Sequence, residues 1–170
     1  MKRFALSILF CVLSASAAFA QTKSPIEGVW KIAEVVTPST DPANKAAATT
    51  NSSPQPGLII FTRGYYSQVF VPGAQPRTAV DPPKDPQNLT DAEKLALYEQ
   101  WRQFVANSGT YEIKGTTITR RPIVAKNVAV MTSGTPNVQE FKLEGANTLW
   151  LIPTGDQAAT QARIKLTRVE

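Results

Sequence analysis

From residue 109 onward, apolar and polar side chains alternate in short runs. A two-residue period is typical of strands with one buried face. Gly, Pro or Asn separates the runs, as in hairpin turns. The runs read GTYEIKG, TTITRRPIVA, NVAVMTS, VQEFKLEG, NTLWLIP and ARIKLTRV. They predict a series of antiparallel hairpins.

Three more strands are predicted before residue 72. GVWKIAEVV, residues 28–36, is rich in β-branched and aromatic side chains. GLIIFTRGYYSQVFV, residues 57–71, predicts a hairpin with apolar side chains on both faces. Because Arg63 is ill suited to positive φ, we expect a three-residue loop with Gly64 in the left-handed conformation. The inner face would then carry Leu58, Ile60, Tyr66, Gln68 and Phe70.

The hydrophobic period changes to that of a helix in TDAEKLALYEQWRQFVANSG. Thr90 and Glu93 have the spacing of a capping box. Apolar side chains from Leu95 to Val105 lie close to helical spacing, which predicts a helix over 91–106 with one side packed against the sheet.

Two proline-rich segments interrupt the pattern. Residues 37–56 hold four prolines and residues 72–89 hold five, out of thirteen in the chain. Loops of this length in a compact domain are either functional or disordered. Both alternatives stay open, and we expect the loops near one end of the sheet.

The strand count predicts the fold. Eight or nine consecutive antiparallel strands leave no exposed edge if they close into a barrel. We therefore expect an all-β protein, a closed antiparallel up-and-down barrel of about eight strands with one α-helix between strands 3 and 4. A single domain over residues 21–170 is long enough to bury its own core.

The first twenty residues have the pattern of a secretory signal peptide. Lys2 and Arg3 precede an apolar run from Phe4 to Leu13, and small residues end at Ala20. This run is too short to span a bilayer, and the A-x-A ending predicts cleavage after Ala20. The expected location is periplasmic or secreted, with no stable membrane insertion after cleavage.

Composition excludes several classes of site. The only cysteine, Cys11, lies in the predicted signal peptide, and the chain has no histidine. The mature protein would therefore have no disulfide, no Ser-His-Asp triad and no zinc or haem held by Cys or His, and we expect no cofactor or metal. Without Lys2 and Arg3, 16 basic side chains face 13 acidic ones. This balance, spread along the chain, predicts no nucleic-acid partner.

Gly28-Val29-Trp30 and the final KLTR motif, ending in Arg168, carry a resemblance to a known family. The order GVWKI, PGLIIFTRGYYSQV, GTYEI, FKLEG and LTRV is similar to the bacterial lipocalin-like domain family over residues 28–169. The resemblance implies a lipocalin-like (calycin-type) barrel. It also implies that Gly28, Trp30 and Arg168 close one end of the barrel, with Arg168 packed over Trp30.

Polar residues on apolar strand faces are candidates for ligand contacts, because a buried polar group is costly without a partner. In the two-residue period, Glu34 shares a strand face with Ile32 and Val36, and Arg120 shares one with Ile118. Alternatively, the polar side chains meet water at the barrel mouth or pair with each other, and the aromatic ones, Trp150 included, fill the core. The predicted ligand-binding residues are Glu34, Tyr66, Gln68, Phe70, Tyr111, Arg120 and Phe141.

We expect the barrel to bind or carry a small hydrophobic molecule, since eight strands enclose room for one small ligand. An enzyme of the isomerase or cyclase type is a second hypothesis, with Glu34 as base, Tyr111 as acid and Arg120 as oxyanion donor. A third is protein binding through the proline-rich loops. The sequence contains no catalytic motif that favours the enzyme.

Overall fold

The computed structural model describes residues 24–39, 41 and 47–170. The predicted signal peptide, residues 1–20, lies outside these described residues. The described strands are β1 (Gly28–Thr37), β2 (Thr49–Asn51), β3 (Gly57–Thr62), β4 (Tyr65–Phe70), β5 (Val105–Lys114), β6 (Thr117–Ala125), β7 (Asn137–Glu144), β8 (Thr148–Pro153) and β9 (Arg163–Arg168). The α-helices are α1 (Asp91–Arg102) and α2 (Val128–Thr132), and a 3₁₀ helix spans Gly155–Ala159.

The strands form a closed barrel. They lie in the order β2-β1-β3-β4-β5-β6-β7-β8-β9, and β1 also pairs with β9. All pairings are antiparallel. Eight strands therefore close the barrel, and β2 is an extra strand on β1. The predicted all-β antiparallel barrel is confirmed.

The position of the helix differs from the prediction. The α1 helix follows the fourth strand, not the third, because Thr49–Asn51 forms a strand that pairs with Val35–Thr37. This short strand lies in the first proline-rich segment. It consists of polar residues only, so no apolar alternation marks it in the sequence.

The α1 helix begins as predicted and ends early. Thr90 and Glu93 form the capping box, with the Thr90 N–H donating to Glu93 Oε2 at 2.8 Å. The helix ends at Arg102, and β5 begins at Val105. No α1 side chain is buried, so the expected packing of residues 91–106 on the barrel wall is wrong. Within the described ranges, no helix is long and apolar enough to cross a membrane.

The run NVAVMTS, predicted as a strand, forms the short helix α2 instead. Asn127 is its N-cap, with Oδ1 accepting a hydrogen bond from the Ala129 N–H at 3.0 Å. An Asn side chain that caps a helix offers the backbone a local alternative to strand pairing. The alternation of apolar residues therefore predicted the wrong element here.

The β3–β4 hairpin has a two-residue turn rather than the predicted three-residue loop. Thr62 pairs with Tyr65, and Arg63 and Gly64 take φ values of 36° and 84°. Such a turn matches the twist of the flanking strands. Compared with the predicted loop, this turn shifts the register of β3 by one residue. Ile59 and Phe61 are therefore buried inside, while Leu58 and Ile60 face outward. Tyr66, Gln68 and Phe70 face inward as predicted.

One half of the barrel is filled by its own side chains. Trp30 is fully buried, and its Nε1–H donates to the Ile26 carbonyl at 2.7 Å. Phe61 and Tyr111 pack edge to face with ring centroids 5.2 Å apart. Other buried apolar residues of this core include Ile59, Ile118, Leu149, Leu151 and Leu166. Any space for a ligand therefore lies toward the other end of the strands.

Candidate functional site

The filled end of the barrel is closed by Arg168. Its guanidinium carbon lies 4.1 Å from the Trp30 ring centroid. The guanidinium donates to the carbonyls of Glu27 at 2.6 Å and Ala146 at 2.8 Å. A Cβ added to Gly28 would lie 2.4 Å from Arg168 Nη1, so only glycine fits beneath this side chain. These contacts hold the chain entering β1 against the end of β9.

A cavity of about 550 Å³ occupies the opposite end. Its walls are mostly apolar and include Ile32, Val35, Phe70 and Ile164. Parts of both proline-rich segments surround its mouth, and Gln55 Nε2 joins them by donating to the Ala74 carbonyl at 3.2 Å. The remaining described lining residues are Thr37, Thr49, Asn51, Pro54, Gln55, Gln68, Val71, Pro72, Gly73, Ala74, Arg120, Asn137, Gln139, Gln161 and Ala162.

Arg120 lies at the floor of the cavity, where the open space meets the filled core. Its side chain is held by amide oxygens from two other strands. Nη1 donates to Gln68 Oε1 at 2.6 Å, and Nη2 donates to Asn137 Oδ1 at 2.7 Å and Gln139 Oε1 at 2.5 Å. Because β4, β6 and β7 each contribute, the barrel fixes the guanidinium in one position.

Burial makes Arg120 electrostatically unusual. The residue is 6% exposed, and loss of hydration lowers its pKa to about 10. It therefore remains charged at neutral pH. A buried charge costs on the order of several kcal/mol unless a partner offsets it. No ion pair formed among the described residues includes Arg120.

Tyr66 lies beside the guanidinium. The Arg120 guanidinium carbon is 5.4 Å from the Tyr66 ring centroid, and the Tyr66 hydroxyl donates to Asn107 Oδ1 at 2.9 Å. Burial raises the pKa of Tyr66, and the nearby Arg120 charge partly offsets this rise. Tyr66 is thus a neutral aromatic support for the charged side chain.

The predicted ligand-binding residues occupy three different environments. Gln68, Phe70 and Arg120 line the cavity, and Tyr66 supports Arg120. Tyr111 and Phe141 belong to the buried core instead. Burial raises the pKa of Tyr111.

Glu34, expected inside, faces outward. A β-bulge lies between Ile32 and Glu34, where Ile32 pairs with Leu166 and Glu34 with Lys165. An extra residue in one strand reverses the direction of every side chain beyond it. Val35 therefore lines the cavity in place of Glu34. The trio of Glu34, Tyr111 and Arg120 is not brought together, so the groups of the enzyme hypothesis do not form a site.

Trp150, also expected inside, lies on the outer wall. It pairs with Lys142 and Lys165, and the Lys165 ammonium lies 5.4 Å from its ring centroid. Its strand neighbours Leu149 and Leu151 point inward and are fully buried.

Sequence reasoning missed two polar residues of the site, Asn137 and Gln139. Both share the two-residue period with Phe141, which was predicted to face inward, so the alternation alone could have indicated them. Val35 had no such signal, because the bulge that turns it inward is not visible in the sequence.

In comparisons with known proteins, no protein-family model matches this chain, and no curated protein matches it significantly. Among the described residues, no group of three or more His, Cys, Asp or Glu side chains could hold a metal ion.

Proposed function

We propose that this protein binds a small, mostly apolar molecule in the cavity at the open end of its barrel. The observation that carries the proposal is the unfilled space of about 550 Å³ between the packed core and the proline-rich loops. Cavities of this volume with apolar walls and a few fixed polar groups are typical of small-molecule sites. The aliphatic and aromatic wall supplies affinity by burial, and the polar floor supplies orientation.

We further propose that the chain is an exported member of the bacterial lipocalin-like domain family. The Arg168 side chain over Trp30 and the close approach at Gly28 support this relationship, since they give the G-x-W motif and the final arginine a joint role. The signal-like residues 1–20 support export. Binding or carrying a ligand outside the cytoplasm is the role that follows.

Native mass spectrometry of protein purified from its own host tests the proposal. We expect a fraction of the protein to retain a non-covalent small molecule. Ala162→Trp should abolish retention, because Ala162 lines the cavity. Its neighbour Arg163 is exposed, so Arg163→Trp is the matched control and should leave retention intact. Loss of the molecule in both variants, or in neither, would place the binding site elsewhere.

A host-purified protein without a bound molecule calls for a second measurement. N-phenyl-1-naphthylamine is neutral and fluoresces more strongly in apolar surroundings, so it reports binding in a cavity with such walls. We expect saturable binding that Ala162→Trp abolishes and Arg163→Trp preserves. No binding of this probe, together with no retained molecule, would contradict the proposed function.

A further inference from the structure

Arg120 brings a positive charge to the cavity floor, and no acidic side chain offsets it. All thirteen Asp and Glu residues of the chain lie within the described residues. Four ion pairs there involve Lys94, Arg102, Arg121 and Lys142, and none of these four includes Arg120. Among the described residues that line the cavity, Arg120 is the one with a charged side chain.

The hydrogen bonds of Arg120 are also incomplete. A guanidinium has five N–H donors. Three of them reach the amide oxygens of Gln68, Asn137 and Gln139. Nε is buried and has no hydrogen-bond partner among the residues that the structure describes. The amides fix the position of the guanidinium, but as neutral groups they leave its charge uncompensated.

The surroundings of Arg120 define the ligand that would compensate it. A single guanidinium balances one negative charge, and its planar fork matches the geometry of a carboxylate. Each of the three amides also carries an NH₂ group that can donate to a carboxylate oxygen. Beyond the floor, the walls of Ile32, Val35, Phe70 and Ile164 suit an apolar body extending toward the mouth.

We propose that the cavity selects an amphipathic monocarboxylic acid, with its carboxylate beside Arg120 and its apolar body along the cavity walls. This inference rests on the proposed function and adds the charge and chemical class of the ligand. It predicts discrimination by charge among molecules of the same length.

Isothermal titration of the wild-type protein with three ten-carbon probes tests this selection. The probes are decanoate, decan-1-ol and decyltrimethylammonium, each below its micelle concentration at neutral pH. A charge-assisted hydrogen bond predicts that decanoate binds roughly 10- to 100-fold more tightly than decan-1-ol. The cationic probe should bind most weakly.

Two adjacent arginines provide a matched pair of variants. Arg120→Met should remove the preference for decanoate over decan-1-ol. Arg121→Met removes the same charge from the outer face, where Arg121 forms an ion pair with Glu112, and should keep the preference. Loss of the preference in both variants would mean that net charge, and not the cavity floor, attracts the acid.

If Arg120→Met does not fold, the wild-type protein still gives an answer. Decanoate labelled with ¹³C at its carboxyl carbon reports its own titration by NMR. In the complex, the pKa of the bound acid should fall below that of free decanoic acid, because Arg120 stabilises the carboxylate. An unchanged or raised pKa would overturn the inference.

The outcomes separate the two proposals. Equal affinities for decanoate and decan-1-ol would overturn the selection of an acid and leave the proposed function standing. Tighter binding of decyltrimethylammonium than of decanoate would also overturn the selection of an acid and leave the proposed function standing. Binding of none of these probes, nor of N-phenyl-1-naphthylamine, would contradict the proposed function itself and the inference with it.

Discussion

The Arg168 guanidinium lies over the Trp30 indole, 4.1 Å from the ring centroid, and donates to the Glu27 and Pro25 carbonyls of the chain that enters β1. Arg168→Ala should lower the free energy of unfolding by about 2–4 kcal/mol, because it removes a cation–π contact and charge-assisted hydrogen bonds. Thermal or urea unfolding measures this. Binding of N-phenyl-1-naphthylamine should not change, since the cavity lies at the other end.

Arg163→Ala is the control for this prediction. Arg163 lies on the same strand and is exposed, so its loss should alter stability by no more than about 0.5 kcal/mol. A change in ligand affinity in Arg168→Ala without a loss of stability would mean that the closed end has been placed wrongly.

Gly28 is predicted to be intolerant of any side chain. A Cβ there would lie 2.3 Å from the Glu170 carbonyl oxygen and 2.4 Å from Arg168 Nη1. Gly145 also has positive φ, at 68°, but no atom lies within 4 Å of its added Cβ. Gly28→Ala should therefore destabilise the protein by about 1–3 kcal/mol more than Gly145→Ala in urea unfolding. Equal losses would show that backbone strain alone accounts for the effect.

The two-residue turn predicts a stabilising substitution. Arg63 holds φ at 36°, in the left-handed region that Asn tolerates better than Arg. Arg63→Asn should raise the free energy of unfolding by about 0.5–1 kcal/mol and increase the melting temperature. Arg63→Ala removes the same side chain without relieving the strain, so it should give no gain. If both variants are destabilised equally, the turn has a different conformation.

The bulge in β1 predicts opposite results at two adjacent positions. Val35 lines the cavity, and Glu34 faces outward opposite Lys165. Val35→Ala should weaken binding of N-phenyl-1-naphthylamine roughly three- to tenfold through lost apolar contact. Glu34→Gln should leave it unchanged. Fluorescence titration of both variants measures this, and a strong effect of Glu34→Gln alone would put the carboxylate inside the barrel.

The barrel could be predicted from the sequence because β5 to β9 each carry the same two-residue alternation of apolar and polar side chains. Gly28, Trp30 and Arg168 indicated its closed end through a motif, and the structure brings them into contact. These features can be recognised from short stretches of sequence. They do not depend on the exact register in which neighbouring strands pair.

The inner face was harder to predict because a single extra or missing residue reverses it. The bulge before Glu34 and the tight turn at Arg63 each shift the register by one position. Both depend on tertiary packing. Arg63 has an unfavourable positive φ, and the register that this turn sets buries Phe61. The Arg120 network was only partly predicted: Gln68 and Arg120 were identified, but Asn137 and Gln139, the other two acceptors of Arg120, were not.

The three tryptophans allow binding to be located by NMR. Trp30 lies in the closed end, Trp101 is exposed on α1, and Trp150 lies on the outer wall. None of them lines the cavity. By contrast, the side-chain amides of Gln68 and Gln139 lie on its floor. The Trp101 and Trp150 indole signals therefore report on the surface, and the Gln68 and Gln139 amide signals report on the cavity.

A titration of the ¹⁵N-labelled protein with decanoate, followed through these signals, tests the central claim most directly. We expect saturable shifts of the Gln68 and Gln139 side-chain amides, while the Trp101 and Trp150 indole signals stay in place. Saturable movement of Trp101 or Trp150 with no change at the two amides would contradict binding inside the barrel.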